Sequence, residues 1–435
     1  MNTICLIGRP NTGKSTLFNR LIREKKSIIL DEEGITRDRI YGKSTFNGKT
    51  FYLVDTGGID ISKKSFTDKI KLQAEIAIEE ADVIIFVLDG LTDINDNDKA
   101  IARILKKSKK KVLLAINKLD NDYRIENIYN FYELGFENIF PISATHNRGI
   151  DELLREATKD FNENPTLPKD ETIRFSFIGR PNVGKSSLVN AILNEDRVIV
   201  SPIAGTTRDA IDTKFTFNKE EFVVVDTAGL RKKGKIFESV EKYSLIRTMK
   251  AIDTSDVCVL VIDAEEKILE QDKHIASYAL DANKPIVIAV NKWDKIENKD
   301  EQIKEFKALI ENEFKFMKYV KVIFLSAETK KRVNDLIPLI KEAYENSSRQ
   351  IKTSIINDVI RESYLLHQPP SYKGKKLKIY FVSQTGVNPP EFTFNVNNKT
   401  LLHFSYKRYL ENSLRNNFNL EGTPIILKFK NKNED

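Results

Sequence analysis

Short apolar segments alternate with amphipathic stretches through the first three quarters of the chain. Four such segments in the N-terminal part read TICLIG, KTFYLVDT, ADVIIFVLD and KKVLLAINK, and four that follow read RFSFIG, EFVVVDT, SDVCVLVID and KPIVIAVNK. Segments of this length that are apolar on both faces and separated by helical stretches are typical of parallel strands covered by helices. The pattern predicts an α/β fold with a mostly parallel sheet in each part.

The pattern repeats because the chain contains two copies of one sequence block. Gly8 aligns with Gly179 at an offset of 171 positions, and Asn117 aligns with Asn291 at an offset of 174. The offset grows between motifs, in surface connections where insertions are tolerated. Repetition over this length predicts two related domains in tandem.

A different pattern begins after residue 346. A helical stretch, SIINDVIRESYLLHQ, precedes two strand-like segments, KLKIYFVSQ and EFTFNVN, then a second helix, SYKRYLENSLRNNF, and a last strand, TPIILKFK. This order predicts a small α+β domain. We therefore predict a first α/β domain at 1–161, a polar linker at 162–172, a second α/β domain at 173–346 and the α+β domain at 347–435.

Each copy carries a glycine-rich loop that is typical of phosphate binding. The loops read GRPNTGKS and GRPNVGKS, and each lies between an apolar strand and a helical stretch. Glycines allow successive backbone N–H groups to point inward around an anion, and the following helix adds its positive end. In this P-loop motif Lys14 and Lys185 would reach the β- and γ-phosphates, and the hydroxyls of Ser15 and Ser186 would bind Mg²⁺.

A second pair of motifs is predicted to select the base. NKLD, at 117–120, and NKWD, at 291–294, each follow an apolar strand, at the sheet edge where such ligands bind. The carboxylates of Asp120 and Asp294 can each accept two hydrogen bonds, which matches the ring N–H and amino group of guanine. Adenine would leave such a carboxylate facing a lone pair. GTP is therefore predicted in preference to ATP.

Further residues in each copy are placed to respond to the γ-phosphate. Asp55 and Asp226 begin the sequences DTGG and DTAG, and Thr36 and Thr207 lie in the polar loops GITRD and GTTRD. We expect the aspartates to hold Mg²⁺, directly or through water, and the threonines to join its shell when GTP is bound. The glycine that ends each D-x-x-G motif can couple hydrolysis to motion of the loop that follows.

These motifs define a predicted nucleotide-contacting set. In the first copy it comprises Gly8, Asn11, Thr12, Gly13, Lys14, Ser15, Thr16, Asp55, Gly58, Asn117, Lys118, Asp120, Ser143 and Ala144. In the second copy it comprises Gly179, Asn182, Val183, Gly184, Lys185, Ser186, Ser187, Asp226, Gly229, Asn291, Lys292, Asp294, Ser326 and Ala327. The predicted catalytic residues are Lys14, Lys185, Asn11, Asn182, Thr36 and Thr207.

Neither copy has the glutamine that orients the attacking water in many GTPases. Ile59 and Leu230 stand in its place, and an apolar side chain cannot orient water. Asn11 and Asn182 lie in the P-loops, and our hypothesis is that their carbonyl oxygens help to hold a K⁺ ion that supplies positive charge. The alternative is a structural loop asparagine.

Arginines offer another source of that charge. Arg37 and Arg208 follow the threonines of the two polar loops and could act as arginine fingers, although arginines in such loops are more often solvated or structural.

Composition and charge add little to the catalytic prediction. The net charge is +7, and 351–435 contains 13 Lys and Arg against 7 Asp and Glu, which suggests an anionic partner such as RNA for that domain. Cys5 and Cys258 lie in apolar strand-like segments and are predicted to be buried thiols. The four histidines lack metal-ligand spacing. The apolar runs are too short for a membrane span, so we expect a cytoplasmic protein, and a monomer.

Together these motifs resemble the Der (EngA) family of bacterial GTPases, which has two Era-like G domains followed by a KH-like domain. The resemblance extends over essentially the whole chain and includes the duplicated GRPNxGKS, TRD, DTxG, NKxD and SA motifs and the C-terminal SYKRYLEN…EGTPIILKF. It implies a GTP hydrolase that acts late in assembly of the large ribosomal subunit, with precursor particle and rRNA as partners. It also implies that K⁺ stimulates the enzyme through Asn11 and Asn182.

Two alternatives follow from departures in the sequence. The last domain has no GxxG loop with which KH domains grip nucleic acid, so its helix SYKRYLENSLRNNF is as suited to packing on a G domain or protein as on RNA. The missing glutamines favour slow turnover, which leaves room for a nucleotide-gated RNA- or ribosome-binding module in which hydrolysis is incidental. A kinase or ATPase is disfavoured by the two NKxD motifs.

Overall fold

The computed structural model describes residues 2–23, 41–56, 74–75, 77–79, 81–120, 122–161, 172–194, 198–200, 212–225, 248–372 and 374–431. These residues form two compact units, one within 1–169 and one within 170–435. Each unit is considered by itself.

The first unit is built around a six-stranded sheet with the strand order β2-β3-β1-β4-β5-β6. The strands are β1 Asn2–Ile7, β2 Tyr41–Phe46, β3 Lys49–Asp55, β4 Val83–Asp89, β5 Lys111–Asn117 and β6 Ile139–Pro141. All neighbouring strands run parallel except β2, which is antiparallel to β3. The chain crosses from one side of β1 to the other between β3 and β4, so the carboxyl ends of β1 and β4 form the crevice where ligands bind in such sheets.

Helices cover both faces of this sheet. They are α1 Lys14–Arg23, α2 Asp96–Lys106 and α3 Ile150–Ala157, with a 3₁₀ helix at Asp122–Leu134. Every residue of β4, VIIFVLD, is buried, as expected for a β-branched strand covered on both faces. Helix α3 buries Ile150, Leu153, Leu154 and Ala157, which share one face at helical spacing.

The second unit contains a corresponding sheet with seven strands, in the order β13-β12-β11-β7-β10-β9-β8. Its strands are β7 Ile173–Ile178, β8 Val198–Val200, β9 Thr213–Phe217, β10 Glu220–Val224, β11 Val257–Asp263, β12 Ile286–Asn291 and β13 Lys321–Phe324. Its helices are α4 Lys185–Leu193, α5 Glu270–Asp281, α6 Lys299–Glu313 and α7 Leu336–Ser348, with 3₁₀ turns at Trp293–Lys295 and Lys315–Met317. The predicted α/β fold is confirmed in both copies.

The C-terminal part of the second unit is the predicted α+β domain. Its elements are α8 Thr353–Leu366, β14 Ser371–Tyr372, β15 Lys375–Lys376, β16 Ile379–Gly386, β17 Glu391–Val396, a 3₁₀ turn at Lys399–Leu401, α9 Phe404–Phe418 and β18 Ile426–Asn431. The sheet order is β16-β17-β18, with β17 and β18 parallel. Phe392 and Phe394 of β17 pack beneath Leu410 and Leu414 of α9 in a separate core.

Backbone hydrogen bonds connect this domain to the second α/β domain. The N–H of Ile286 donates to the carbonyl of Gly422 at 2.9 Å, and the N–H of Gly422 donates to the carbonyl of Tyr319 at 2.7 Å. The guanidinium of Arg415, on α9, lies 4.0 Å from the ring centroid of Tyr319. Helix α9 therefore contacts the second α/β domain through Arg415, which is one of the two arrangements that the sequence left open for it.

Helix α6 begins at Lys299 and ends at Glu313. Phe314, which is 1% exposed, leaves helical geometry and enters the core, and a 3₁₀ turn follows. No helix among the described residues is long and apolar enough to cross a bilayer.

Candidate functional site

The two P-loops lie at the carboxyl ends of β1 and β7, where the following helices α1 and α4 begin. A Cβ at Gly8 would lie 2.2 Å from the carbonyl oxygen of Val87, and one at Gly179 would lie 2.6 Å from that of Val261. Only glycine allows this approach of the loop to the neighbouring strand. The strand–loop–helix context that the motif requires is therefore present in both copies.

Each P-loop lysine folds back over its own loop. The Nζ of Lys14 donates to the carbonyls of Gly8 at 2.8 Å and Arg9 at 2.7 Å. The Nζ of Lys185 donates to the carbonyl of Gly179 at 2.6 Å and to that of Arg180.

Burial shifts the pKa of both ammonium groups. Desolvation lowers the pKa of Lys14, although the carboxylate of Asp55 opposes this, and it lowers the pKa of Lys185 to about 8. A buried ammonium group of this kind favours an anion placed beside it, because the anion restores its charged form. Both lysines are therefore suited to bind phosphate.

The predicted Mg²⁺ ligands of the first copy lie together. The hydroxyl of Ser15 donates to Oδ2 of Asp55 at 2.8 Å, and Asp55 is 2% exposed. A hydroxyl and a carboxylate oxygen at the edge of a phosphate loop form a donor set that suits Mg²⁺. The residues present therefore fit this ion. In the second copy Ser186 occupies the equivalent first turn of α4.

The asparagine of each NKxD motif links two loops that are distant in sequence. The Nδ2 of Asn117 donates to the carbonyl of Thr12 at 2.8 Å, and its Oδ1 accepts from the N–H of Ala144 at 3.0 Å. In the second copy the Nδ2 of Asn291 donates to the carbonyl of Val183 at 2.9 Å, and its Oδ1 accepts from the N–H of Ala327 at 3.0 Å. Each asparagine therefore connects the P-loop to the SA loop, which is the loop that begins with Ser143 and Ala144 in the first copy and with Ser326 and Ala327 in the second.

The same close packing explains the second glycine of the P-loops. A Cβ at Gly13 would lie 2.2 Å from Nδ2 of Asn117, and one at Gly184 would lie 2.1 Å from Nδ2 of Asn291. Both glycines also have positive φ angles, of 87° and 96°. The glycine is required at this position for space as well as for conformation.

The aspartates that are predicted to select the base differ between the copies. Oδ1 of Asp120 accepts a hydrogen bond from the hydroxyl of Ser143 at 2.7 Å. Oδ1 of Asp294 is buried and has no hydrogen-bond partner among the described residues. An unpartnered buried carboxylate oxygen is costly, so this atom fits a ligand that brings an N–H donor, as guanine does.

The sequence reasoning missed one pair of residues at this edge of the sheet. The Nζ of Lys118 donates to Oδ2 of Asp89 at 2.7 Å, and Lys292 forms the same ion pair with Asp263. Asp89 and Asp263 end β4 and β11, and they recur at the same place in both copies (VIIFVLD and VCVLVID). That recurrence was the available signal.

The P-loop asparagines occupy a special backbone conformation. Asn11 has a φ of 67° and Asn182 has a φ of 64°, and both side chains are exposed. Asparagine tolerates this left-handed region better than other residues with a side chain. This conformation accounts for an asparagine in the loop on structural grounds, and the K⁺ hypothesis stays a prediction.

The remaining predicted residues divide into two groups. Thr16 and Ser187 lie in the first turns of α1 and α4, and Ser326 begins the second SA loop, where its hydroxyl accepts from the N–H of Thr329 at 3.1 Å. The others lie outside the described residues: Thr36, Arg37, Gly58, Ile59, Thr207, Arg208, Asp226, Gly229 and Leu230.

Comparisons with known proteins agree with this geometry. A family model described as a 50S ribosome-binding GTPase matches residues 3–118 and 174–292, and a model for the C-terminal KH-domain-like part of EngA bacterial GTPase enzymes matches residues 350–430. GTPase Der of Macrococcus caseolyticus (strain JCSC5402) is 50% identical over 432 residues, 99% of each chain. GTPase Der of Listeria monocytogenes serotype 4a (strain HCC23) is 50% identical over 424 residues, 97% of each chain.

Solved structures also match individual parts of the chain. Era in complex with MgGDPNP and nucleotides 1506–1542 of 16S ribosomal RNA is 20% identical, with a TM-score of 0.31, and the match covers 60% of this chain and 92% of that one. The G domain of the T. maritima FeoB iron transporter is 26% identical, with a TM-score of 0.29, and the match covers 37% of this chain and 98% of that one.

Proposed function

The chain belongs to the GTPase Der family and is a GTPase, and from that premise we propose that it hydrolyses GTP at two sites and acts in late maturation of the large ribosomal subunit. The proposed partners are the subunit precursor and its rRNA, and the proposed location is the cytoplasm, where the protein acts as a monomer. The description of the matching family as 50S ribosome-binding supports the choice of subunit. The proposed domains are those predicted from the sequence, at 1–161, 173–346 and 347–435.

The observation that supports two functional sites is that an asparagine side chain connects the P-loop to the SA loop by hydrogen bonds in both copies. Asn117 and Asn291 make the same two hydrogen bonds in the two copies, with lengths that differ by no more than 0.1 Å. A copy that had lost nucleotide binding would have no need to keep a buried side-chain amide in this arrangement. We infer that both copies bind nucleotide.

The proposed binding roles follow from where the polar atoms lie. Lys14 and Lys185 turn from their own loop carbonyls toward the β- and γ-phosphates. The carboxylate of Asp294 accepts the ring N–H of guanine at the buried oxygen that has no partner among the described residues. Lys118 and Lys292 are held beside the base by their ion pairs with the aspartates that end β4 and β11.

Metal ions complete the proposed site. Ser15, Thr36 and Asp55 in the first copy, and Ser186, Thr207 and Asp226 in the second, would hold Mg²⁺, which supplies positive charge beside the phosphates when it is bound. Asn11 and Asn182 would help to hold K⁺, which supplies charge that an arginine finger gives in other GTPases. Hydrolysis then depends on positioning and charge rather than on a water-orienting glutamine.

We further propose that nucleotide state controls binding to the particle through a change in domain arrangement. The α+β domain carries most of the excess positive charge, with 13 basic residues against 7 acidic residues at 351–435, which supports an anionic surface as partner. Sedimentation of the protein with ribosomal subunits, in GDP and in a non-hydrolysable GTP analogue, tests this. Binding to the large subunit in only one nucleotide state is expected, and equal binding in both states would contradict the proposal.

Single-site variants separate this proposal from a nucleotide-gated binding module. Lys14→Ala and Lys185→Ala should each reduce GTP turnover and change particle binding. A variant that loses turnover at one site and retains normal association with the particle and release from it would show that turnover at that site is not needed for particle binding.

A further inference from the structure

The arginine that follows the first P-loop glycine is anchored in the second unit. Arg180 is 6% exposed, and its Nε lies 2.9 and 3.0 Å from the two carboxylate oxygens of Asp272, which is 0% exposed. Its Nη1 donates to Oε2 of Glu266 at 2.6 Å. Two carboxylates from outside the P-loop therefore hold one P-loop side chain.

Asp272 is itself held by a backbone hydrogen bond. Asp272 lies in the first turn of α5, and its Oδ2 also accepts from the N–H of Leu269 at 3.0 Å. Burial raises the pKa of Asp272, and the neighbouring guanidinium of Arg180 opposes that shift. The ion pair therefore joins the P-loop to a fixed point at the start of a long helix.

The contact between Arg180 and Asp272 affects the position of Lys185 through the backbone of the P-loop. The carbonyl of Arg180 is one of the two that accept a hydrogen bond from Nζ of Lys185, and the carbonyl of Gly179 is the other. Because the side chain of Arg180 is held, the position of its carbonyl is held as well. The contact to Asp272 thus helps to set where the lysine and the surrounding N–H groups lie before nucleotide arrives.

The first unit has the same arrangement with weaker contacts. Nε of Arg9 lies 3.4 Å from Oδ2 of Asp98 without a hydrogen bond from that nitrogen, and its Nη2 donates to the hydroxyl of Thr92. The side chain of Arg9 is 20% exposed, against 7% for Arg180.

One of the residues that contact the arginine differs in type between the copies. The offset of 174 that relates Asn117 to Asn291 relates Asp98 to Asp272 and also Thr92 to Glu266. The second copy therefore has a carboxylate where the first copy has a hydroxyl.

We propose that this arginine is a positioning residue for the phosphate cradle of each nucleotide site, and that the exchange of Thr92 for Glu266 makes the second site hold GDP more tightly than the first. A cradle that is held in its binding geometry loses less freedom when the diphosphate arrives. The proposal rests on the proposed assignment of both P-loops as nucleotide sites.

The expected size of the effect is modest. The side chain of Glu266 is 58% exposed, so its ion pair is partly screened by solvent. A contact of this kind corresponds to a change of roughly two- to fivefold in an equilibrium or dissociation constant. The contact to Asp272 is buried, so its loss should have a larger effect.

The test exchanges the residue types at positions 92 and 266 and measures GDP release from each site separately. Dissociation of a fluorescent mant-GDP is followed in the full-length chain by stopped flow, with Lys14→Ala used to silence the first site or Lys185→Ala to silence the second. Glu266→Thr should speed release from the second site roughly two- to fivefold, and Thr92→Glu should slow release from the first site by a similar factor. The Michaelis constant for GTP should move with the dissociation constant while kcat stays within about twofold.

A matched control removes a similar ion pair away from the P-loop. Glu221, at the start of β10, is 53% exposed and lies 2.8 Å from Nζ of Lys214. Glu221→Thr should leave GDP release unchanged. The proposal is overturned if Glu266→Thr releases GDP at the same rate as Glu221→Thr, or if Thr92→Glu fails to slow GDP release from the first site. The second condition separates positioning from a purely structural role of Glu266, because Thr92→Glu would not transfer such a structural role to the first site.

Two further measurements keep the outcomes distinct. Arg180→Lys retains the charge but loses the planar contact to Asp272, and it should speed GDP release by about tenfold or more while the protein stays folded by circular dichroism. If the double variant Lys14→Ala with Lys185→Ala still binds mant-GDP, the assignment of the nucleotide sites fails. If the double variant does not bind and the Glu266 and Thr92 exchanges have no effect, only the positioning inference fails.

Discussion

Replacing Asn291 by alanine should weaken nucleotide binding at the second site without a comparable loss elsewhere. Asn291 is 2% exposed, and its side chain donates to the carbonyl of Val183 at 2.9 Å and accepts from the N–H of Ala327 at 3.0 Å. The substitution removes both hydrogen bonds and leaves two backbone groups without this partner. The P-loop and the SA loop would then no longer be held at a fixed distance.

The magnitude follows from those two bonds. A hydrogen bond between uncharged groups contributes about 0.5–1.5 kcal/mol net, so two correspond to about 1–3 kcal/mol. If most of this is needed to hold the site in its binding geometry, the dissociation constant for GDP should rise by roughly 5- to 150-fold. Titration calorimetry with GDP, in a Lys14→Ala background that silences the first site, measures this directly.

A second buried asparagine of the same unit provides the control. Asn346 is 1% exposed, donates to the carbonyl of Glu421 at 3.0 Å and accepts from Arg349 at 3.1 Å, and it lies on α7 at the contact with the α+β domain. Asn346→Ala should lower thermal stability to a similar extent and leave GDP affinity unchanged. A change of less than twofold in GDP affinity for Asn291→Ala, or equal losses in the two variants, would refute the reasoning.

Three other predictions can be checked with standard assays. Asp294→Asn should weaken GTP binding by about 100-fold or more and favour xanthosine triphosphate in a competition assay, because an amide N–H would replace the carboxylate oxygen that faces guanine. GTP turnover should be faster in K⁺ than in Na⁺ if Asn11 and Asn182 hold the ion, and equal rates would exclude this role. Cys5 and Cys258 are buried, and burial raises the pKa of Cys258 to about 11, so at pH 8 only about 0.1% of that thiol is ionised. Ellman's reagent should therefore react with both cysteines only after the protein is unfolded. Fast reaction of the native protein would contradict the buried placement.

The strands of the two sheets could be predicted because the residue pattern that specifies each strand lies within a short segment of the sequence. The segment VIIFVLD is apolar up to its final aspartate and rich in β-branched residues, and it forms a strand that is buried at every position. The P-loop motifs also carry their own context, since a strand, a turn and a helix follow one another directly. The 3₁₀ helix at Asp122–Leu134 has a weaker pattern, because its apolar residues are spread around the helix and are not gathered on one face.

The connections inside the site could not be predicted, because they join residues that are far apart in the chain. Asn117 contacts Thr12, 105 positions away, and Arg180 contacts Asp272, 92 positions away. Sequence spacing indicates that each motif lies at the carboxyl edge of the sheet, but it does not show which side chain reaches which loop. Those contacts depend on how closely β1 and β5, or β7 and α5, approach each other.

The duplication makes these long-range contacts interpretable. The asparagine bridge is the same in both copies to within 0.1 Å. The arginine contacts differ, in the partner residue (Thr92 against Glu266) and in the distance from Nε to the aligned aspartate, which is 3.4 Å in the first copy and 2.9 Å in the second. A contact that two copies share is a requirement of the common chemistry, and one that differs is a candidate for what distinguishes the sites. Because both copies belong to one chain, each can serve as the control for the other under identical conditions. We therefore expect the two sites to agree in base selectivity and to differ in how long they retain GDP.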